Sequence, residues 1–182
     1  MSKLRKLSIV LLVALSLNLF AIPSYAITLW VDFIQQEEYN WCWAATSLMT
    51  GEYMYPSSTA TQSSIVYHVK GSIINDAATV AETAHATEYV TNDTIPFVDY
   101  YYAFSFNSVK GYINAGVPVQ ALVHDGGPMG HCYVVYGYYE SETGQYLYIV
   151  DPWTGYGLYA PYQDFLEGAW SNDSRPWIAT VA

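Results

Sequence analysis

Residues 36–45 read Gln36-Glu37-Glu38-Tyr39-Asn40-Trp41-Cys42-Trp43-Ala44-Ala45, a polar run that turns apolar with a cysteine at the junction. Beyond it, Ala44/Leu48 and Ala45/Met49 recur at i,i+4, which predicts a helix over residues 41–53 with one apolar face. Asn40 is the expected N-cap, placing Cys42 in the first turn. The partial positive charge of a helix N-terminus lowers a thiol's pKa. Six residues earlier, Gln36 offers an amide that could hold an oxyanion.

Upstream, residues 28–33 alternate as a short strand. Downstream, Pro56, Ser57 and Ser58 mark a loop, a second helix is expected over 61–69 before Gly71, and Ala77, Val80, Ala81 and Ala84 suggest a third. Asn75 is that helix's expected cap, with Asp76 in its first turn. After the aromatic run around Tyr100, Tyr101 and Tyr102, a helix over 107–115 ends at Gly116, a favourable C-cap. The rest reads as strands: 117–124, 131–139, 146–150, 156–159 and 177–181. A turn at 140–144 joins the second and third, and a short helix near 162–166 precedes the last. Helices first and antiparallel strands second define an α+β fold.

His131 follows Gly130 at the start of a Tyr/Val strand, and Asp151 closes the next one. A thiol is mostly protonated at neutral pH and needs a base or a lowered pKa to act as nucleophile. His131 is the candidate base, and Asp151 the group that fixes its tautomer and orientation. Gln36 and the Cys42 backbone N–H are the candidate oxyanion donors.

The chain has one other cysteine, Cys132, and two readings compete. A Cys42–Cys132 disulfide would suit an oxidising compartment and a non-catalytic peptide- or glycan-binding module. Alternation along a strand argues the other way, since a His131 facing Cys42 would turn Cys132 away from it. His124, Asp125, His131 and Cys132 match no zinc spacing, so no metal and no cofactor is expected. His68 and His85 read as surface residues.

The first residues combine a basic start (Lys3, Arg5, Lys6), a short apolar run and a small-x-small site ending at Ala26. That pattern reads as a signal peptide over 1–26, with residues 27–182 forming one exported domain, extracellular or periplasmic. Pro23 and the shortness of the run disfavour a membrane span. Removing the leader would leave Lys70, Lys110 and Arg175 as the cations against 16 acidic residues. Such a field repels nucleic acid and anionic headgroups and suits cationic or neutral substrates. With 52% apolar and 17% aromatic residues, disorder is excluded. A monomer acting on a peptide or protein substrate is expected.

Three blocks occur in order: Gln36, five residues, then Cys42-Trp43-Ala44-Ala45; Gly130-His131-x-Tyr133-Val134-Val135-x-Gly137-Tyr138; and Tyr148-Ile149-Val150-Asp151-Pro152-Trp153. Together they resemble papain-like cysteine peptidases of the compact bacterial group, which includes C39-like peptidases and AvrRpt2-like effector proteases. The resemblance implies a helical half carrying the cysteine and a β half carrying histidine and aspartate. It further implies Cys42 as nucleophile, His131 as general base, Asp151 as its orienter and Gln36 as oxyanion donor. Acyl transfer to an amine on the same scaffold is the neighbouring alternative to hydrolysis.

Overall fold

The computed structural model describes residues 24–124, 126 and 130–182. Most of the expected leader, together with Asp125 of the loop before His131, lies outside the described residues. In chain order the elements are β1 (Tyr25–Thr28), α1 (Cys42–Met54), α2 (Gln62–Lys70), α3 (Val80–Val90), β2 (Asp99–Tyr100), α4 (Phe106–Asn114), β3 (Val119–Val123), β4 (His131–Ser141), β5 (Gly144–Asp151), β6 (Tyr156–Pro161), α5 (Tyr162–Glu167) and β7 (Trp177–Val181). The fold is α+β, as the order of patterns predicted.

The strands form one antiparallel sheet in the order β2-β7-β3-β4-β5-β6. Strand β4 organises it. Its first residues, 131–135, pair with β3, and residues 137–140 pair with β1. A register shift between Val135 and Gly137 resets the alternation, so Tyr133, Val135 and Tyr138 all enter the larger core. Gly137 is required where β1 crosses: a Cβ there would lie 2.5 Å from the Ile27 carbonyl oxygen.

The expected strand over 28–33 is displaced. Pairing covers Tyr25–Thr28, Leu29 N–H still donates to Tyr136 O at 2.7 Å, and Trp30 is then 95% exposed. Val31 leaves the sheet plane to pack with Met49, Val134 and Val150. Burial between α1 and the sheet therefore outweighs the strand pattern of this segment. Tyr25 and Ala26, the end of the expected leader, pair with Glu140 and Tyr139.

Helix α1 is buried on every side from Trp43 to Gly51, not on one face as its i,i+4 pattern suggested. It lies between α2 and α3 on one side and β4 and β5 on the other, which is the environment of a central helix. Its polar residues are accommodated inside. Ser47 Oγ accepts from Thr87, whose hydroxyl in turn accepts from Gln120 Nε2 of β3 at 2.8 Å. Gly51 lets α3 approach, since a Cβ at this position would meet Val90 Cγ1 at 2.4 Å.

Both expected asparagine caps are corrected. Trp41 occupies the N-cap position of α1 without a side-chain cap, and Cys42 is the first helical residue. Helix α3 starts at Val80 behind a Thr79/Glu82 capping box, whose T-x-x-E signature the Ala77 to Ala84 pattern obscured. Asn40 and Asn75 instead bind each other: Asn40 N–H donates to Asn75 Oδ1 at 2.8 Å, and Asn40 Nδ2 to Asn75 O at 3.0 Å. Each caps nothing because its side chain joins two loops.

Candidate active site

Cys42 reaches the site through the geometry of its neighbours' backbone and indole groups. Trp41 Nε1 donates to Ile74 O at 2.8 Å and Trp43 Nε1 to Asp76 O at 3.0 Å, so both flanking tryptophans are tied to the 74–76 loop. The strand side is brought up by a second set of ties. Gln36 N–H donates to Pro152 O at 2.8 Å, Gln35 Nε2 to Trp153 O at 3.0 Å, and Tyr39 meets Trp153 edge-on at 5.2 Å. The segment before Cys42 is thereby fastened to the segment after Asp151.

His131 opens β4 and Asp151 closes the adjacent β5. His131 Nε2 lies 2.7 Å from Asp151 Oδ1, the same oxygen that accepts the Trp153 N–H at 2.9 Å. With Nε2 engaged by the carboxylate, Nδ1 is the ring nitrogen left free, and Cys42 lines the same cleft, close enough to the ring to act on its pKa. Burial works against a charged imidazole, but Asp151 and Cys42 outweigh it and push the His131 pKa up to about 9. The ring also sits edge-on to Tyr133 at 4.6 Å, which restrains it from behind.

The two cysteines are free thiols in very different settings. Alternation does put His131 and Cys132 on opposite faces, but the face toward α1 belongs to Cys132. Its sulfur lies 3.2 Å from Thr46 Oγ1, one turn beyond Cys42. His131 reaches Cys42 from the end of the strand, where the helix N-terminus overhangs it. Burial, reinforced by Cys42, pushes the Cys132 thiol well up, so it stays protonated and inert. The disulfide reading does not match this structure.

Gln36 is placed otherwise than an oxyanion donor would need. Its Nε2 donates to Glu38 O at 2.8 Å and Tyr39 O at 2.7 Å, which commits both amide hydrogens to the turn before the helix. Its Oε1 is buried without a protein partner.

Cys42, His131 and Asp151 line one cleft of about 320 Å³. Tyr39 and Trp153 form an aromatic wall, and Asn40, Asn172 and Arg175 add polar groups. A smaller cavity of about 240 Å³, lined by Ala78, Val80, Leu122 and Ile178 among others, shares Cys42, Ala77, Gly130 and His131 with the cleft. The sequence patterns marked Cys42, His131 and Asp151 but gave no sign of Arg175, which lies in an irregular segment 24 residues after Asp151. Tyr100, Tyr101 and Tyr102 lie at the β2 edge, off the cleft. His68 and His85 are exposed but not isolated: their Nε2 atoms face each other at 3.1 Å. Among the described residues no group of three or more His, Cys, Asp or Glu side chains gathers as a metal site.

An α+β fold that sets a half-buried thiol at a helix start beside an imidazole and carboxylate at strand ends is compatible with the papain-like class. Within that class, the model of the Peptidase_C39 like family matches residues 28–176, and the chain belongs to this family. No curated protein matches the chain.

Proposed function

We propose that the protein is an exported cysteine peptidase in which Cys42, His131 and Asp151 act together. The observation that carries this reading is the 2.7 Å contact of His131 Nε2 with Asp151 in a cleft that Cys42 also lines. A raised His131 pKa favours the imidazolium, which stabilises a thiolate on Cys42 as an ion pair. The sulfur attacks the scissile carbonyl carbon, and charge develops on the carbonyl oxygen. His131 passes its proton to the leaving amine as the C–N bond breaks, giving a thioester. Water, giving a proton to the imidazole, then attacks the thioester; the C–S bond breaks, the acyl part leaves as its carboxylic acid, and the thiolate–imidazolium pair is restored.

As the first residue of α1, Cys42 has a backbone N–H with no partner within the helix, suited to the oxyanion. Gln36 would supply a second donor by releasing the carbonyl of Glu38 or Tyr39. A Gln36→Ala variant therefore reads two things at once: loss of kcat alone points to the oxyanion, whereas loss of kcat together with thermal stability points to the turn.

Peptidase activity of the mature chain, measured on a peptide library, should disappear on Cys42→Ala while the melting temperature holds. Activity surviving that change would sink the proposal. Hydrolysis against acyl transfer is read by adding an amine nucleophile: the hydrolytic reading expects free carboxylate as the main product at millimolar amine. Export is tested by the N-terminus of protein recovered outside the cytoplasm, expected at Ile27.

A further inference from the structure

The whole chain is acidic, yet its cleft carries a fixed cation. Lys70 is paired with Glu82 and Lys110 with Glu140, both on other surfaces. Arg175 lines the cleft with Cys42 and His131. Its guanidinium is held side-on: Nε donates to Asp173 Oδ1 at 2.8 Å and Nη2 to Asp173 Oδ2 at 2.8 Å. Asp173 is only 7% exposed and is itself anchored by the buried Tyr133 hydroxyl at 2.8 Å and by the Arg175 backbone N–H at 3.0 Å.

Four donors thus saturate the Asp173 carboxylate, so it is a mount for the guanidinium and has no capacity left for a ligand. A side-on pair uses one edge of the guanidinium fork and leaves the Nη1 edge for a second planar anion. Because the mount is buried and rigid, little side-chain freedom is lost when that edge is used. The neighbouring Asn172 and Asn40 on the cleft wall are neutral and do not compete for it.

We propose that Arg175 is a carboxylate-binding subsite of the cleft, selecting peptides that carry a carboxylate close to the scissile bond. The carboxylate belongs either to an acidic side chain or to the free C-terminus of the substrate. This inference rests on the peptidase reading and opposes the preference for cationic substrates that the overall charge suggests. The long-range field governs approach of a substrate, whereas a mounted guanidinium governs which peptide sits correctly once water is displaced.

The test uses mature protein and peptides matched in pairs: Glu against Gln at successive positions around the cleaved bond, and C-terminal acid against C-terminal amide. The expected result is a preference of about tenfold to a hundredfold in kcat/KM for the carboxylate member of one set, the size expected for a charge-assisted bidentate contact. The position scan or the terminus pair, whichever shows the preference, identifies the source of the carboxylate. Arg175→Gln should lower kcat/KM for the preferred member at least tenfold more than for its neutral match, with Arg175→Lys in between. Melting curves accompany both, and the wild-type preference stands as a test even if Arg175→Gln misfolds. Equal cleavage of every pair overturns the subsite and leaves the peptidase reading intact. Equal loss on both members in Arg175→Gln also overturns it, since the guanidinium would then act on the reacting centre. Cleavage of no peptide in any pair overturns both.

Discussion

The helical half and the sheet half hold their parts of the site by different means. Helix α1 presents Cys42 through backbone position: it has no side-chain cap, and two indole N–H groups donated to the 74–76 loop set where it begins. The sheet presents His131 and Asp151 through pairing of neighbouring strands and a direct 2.7 Å contact between the side chains. A change in the sheet half should therefore alter chemistry with little effect on folding. Cys42 itself apart, a change in the helical half should alter folding first and chemistry through it.

The largest expected effect sharpens the contrast at His131. His131→Ala removes the proposed base and partner of the sulfur, and kcat/KM should fall by about 10³-fold or more. Native alkylation of Cys42 by iodoacetamide should slow in parallel, while Cys132 stays unlabelled until the protein is unfolded. Rapid labelling of Cys132 in native protein would contradict its burial against Thr46.

Asp151→Asn comes next, with an expected loss of about 10²-fold from the misoriented imidazole and a diagnostic shift with pH. In the wild type, the imidazolium persists until pH approaches about 9, so the alkaline limb of the rate profile should fall near there. Removing the carboxylate should move that limb to lower pH. The sign for stability is the same: the His131 pKa is raised on folding, so its contribution is complete below the unfolded value of about 6.5 and is lost as pH rises through about 9. An unchanged alkaline limb in Asp151→Asn would remove Asp151 from the control of His131.

On the helical side the order of effects reverses. Gly51→Ala places a methyl 2.4 Å from Val90 Cγ1 and should lower stability by about 1–3 kcal/mol through overpacking. Chemical denaturation would show it, with kcat/KM of the folded protein changed less than threefold. A neutral result would mean that α1 and α3 separate at little cost, and that the helical half is softer than its burial suggests.

What could be read from the sequence divides along the same line. Strands β3 to β7, α4 and α5 were legible because apolar alternation and helical spacing depend on local pattern, and the same patterns marked Cys42, His131 and Asp151 as candidates. The strand expected over 28–33 misled because Val31 gains more by packing under α1 than by staying in the sheet. The facing of Cys132 misled because alternation fixes which residues share a face, but not which face a helix will cover. Arg175 was illegible: its role comes from Tyr133 and Asp173, far apart in sequence, meeting beneath an irregular segment.

The smallest effect is the most discriminating for the helical half. Asn40 and Asn75 each have the residue type of an N-cap, yet they join the turn before α1 to the loop before α3. If they were caps of separate helices, Asn40→Ala and Asn75→Ala would act independently and their costs would add. As parallel bonds of one join, each change removes one bond and loosens the geometry of the other, so the double variant should cost about 0.5–1 kcal/mol less than the sum. The same logic reaches the site, because the loop that Asn75 belongs to also receives the Trp41 and Trp43 indoles. Each single variant should lower kcat/KM a fewfold, and the double variant should add little to that. Additivity in both stability and rate would mean that Cys42 is positioned by α1 alone, and that the two halves are less different than the hydrogen bonds imply.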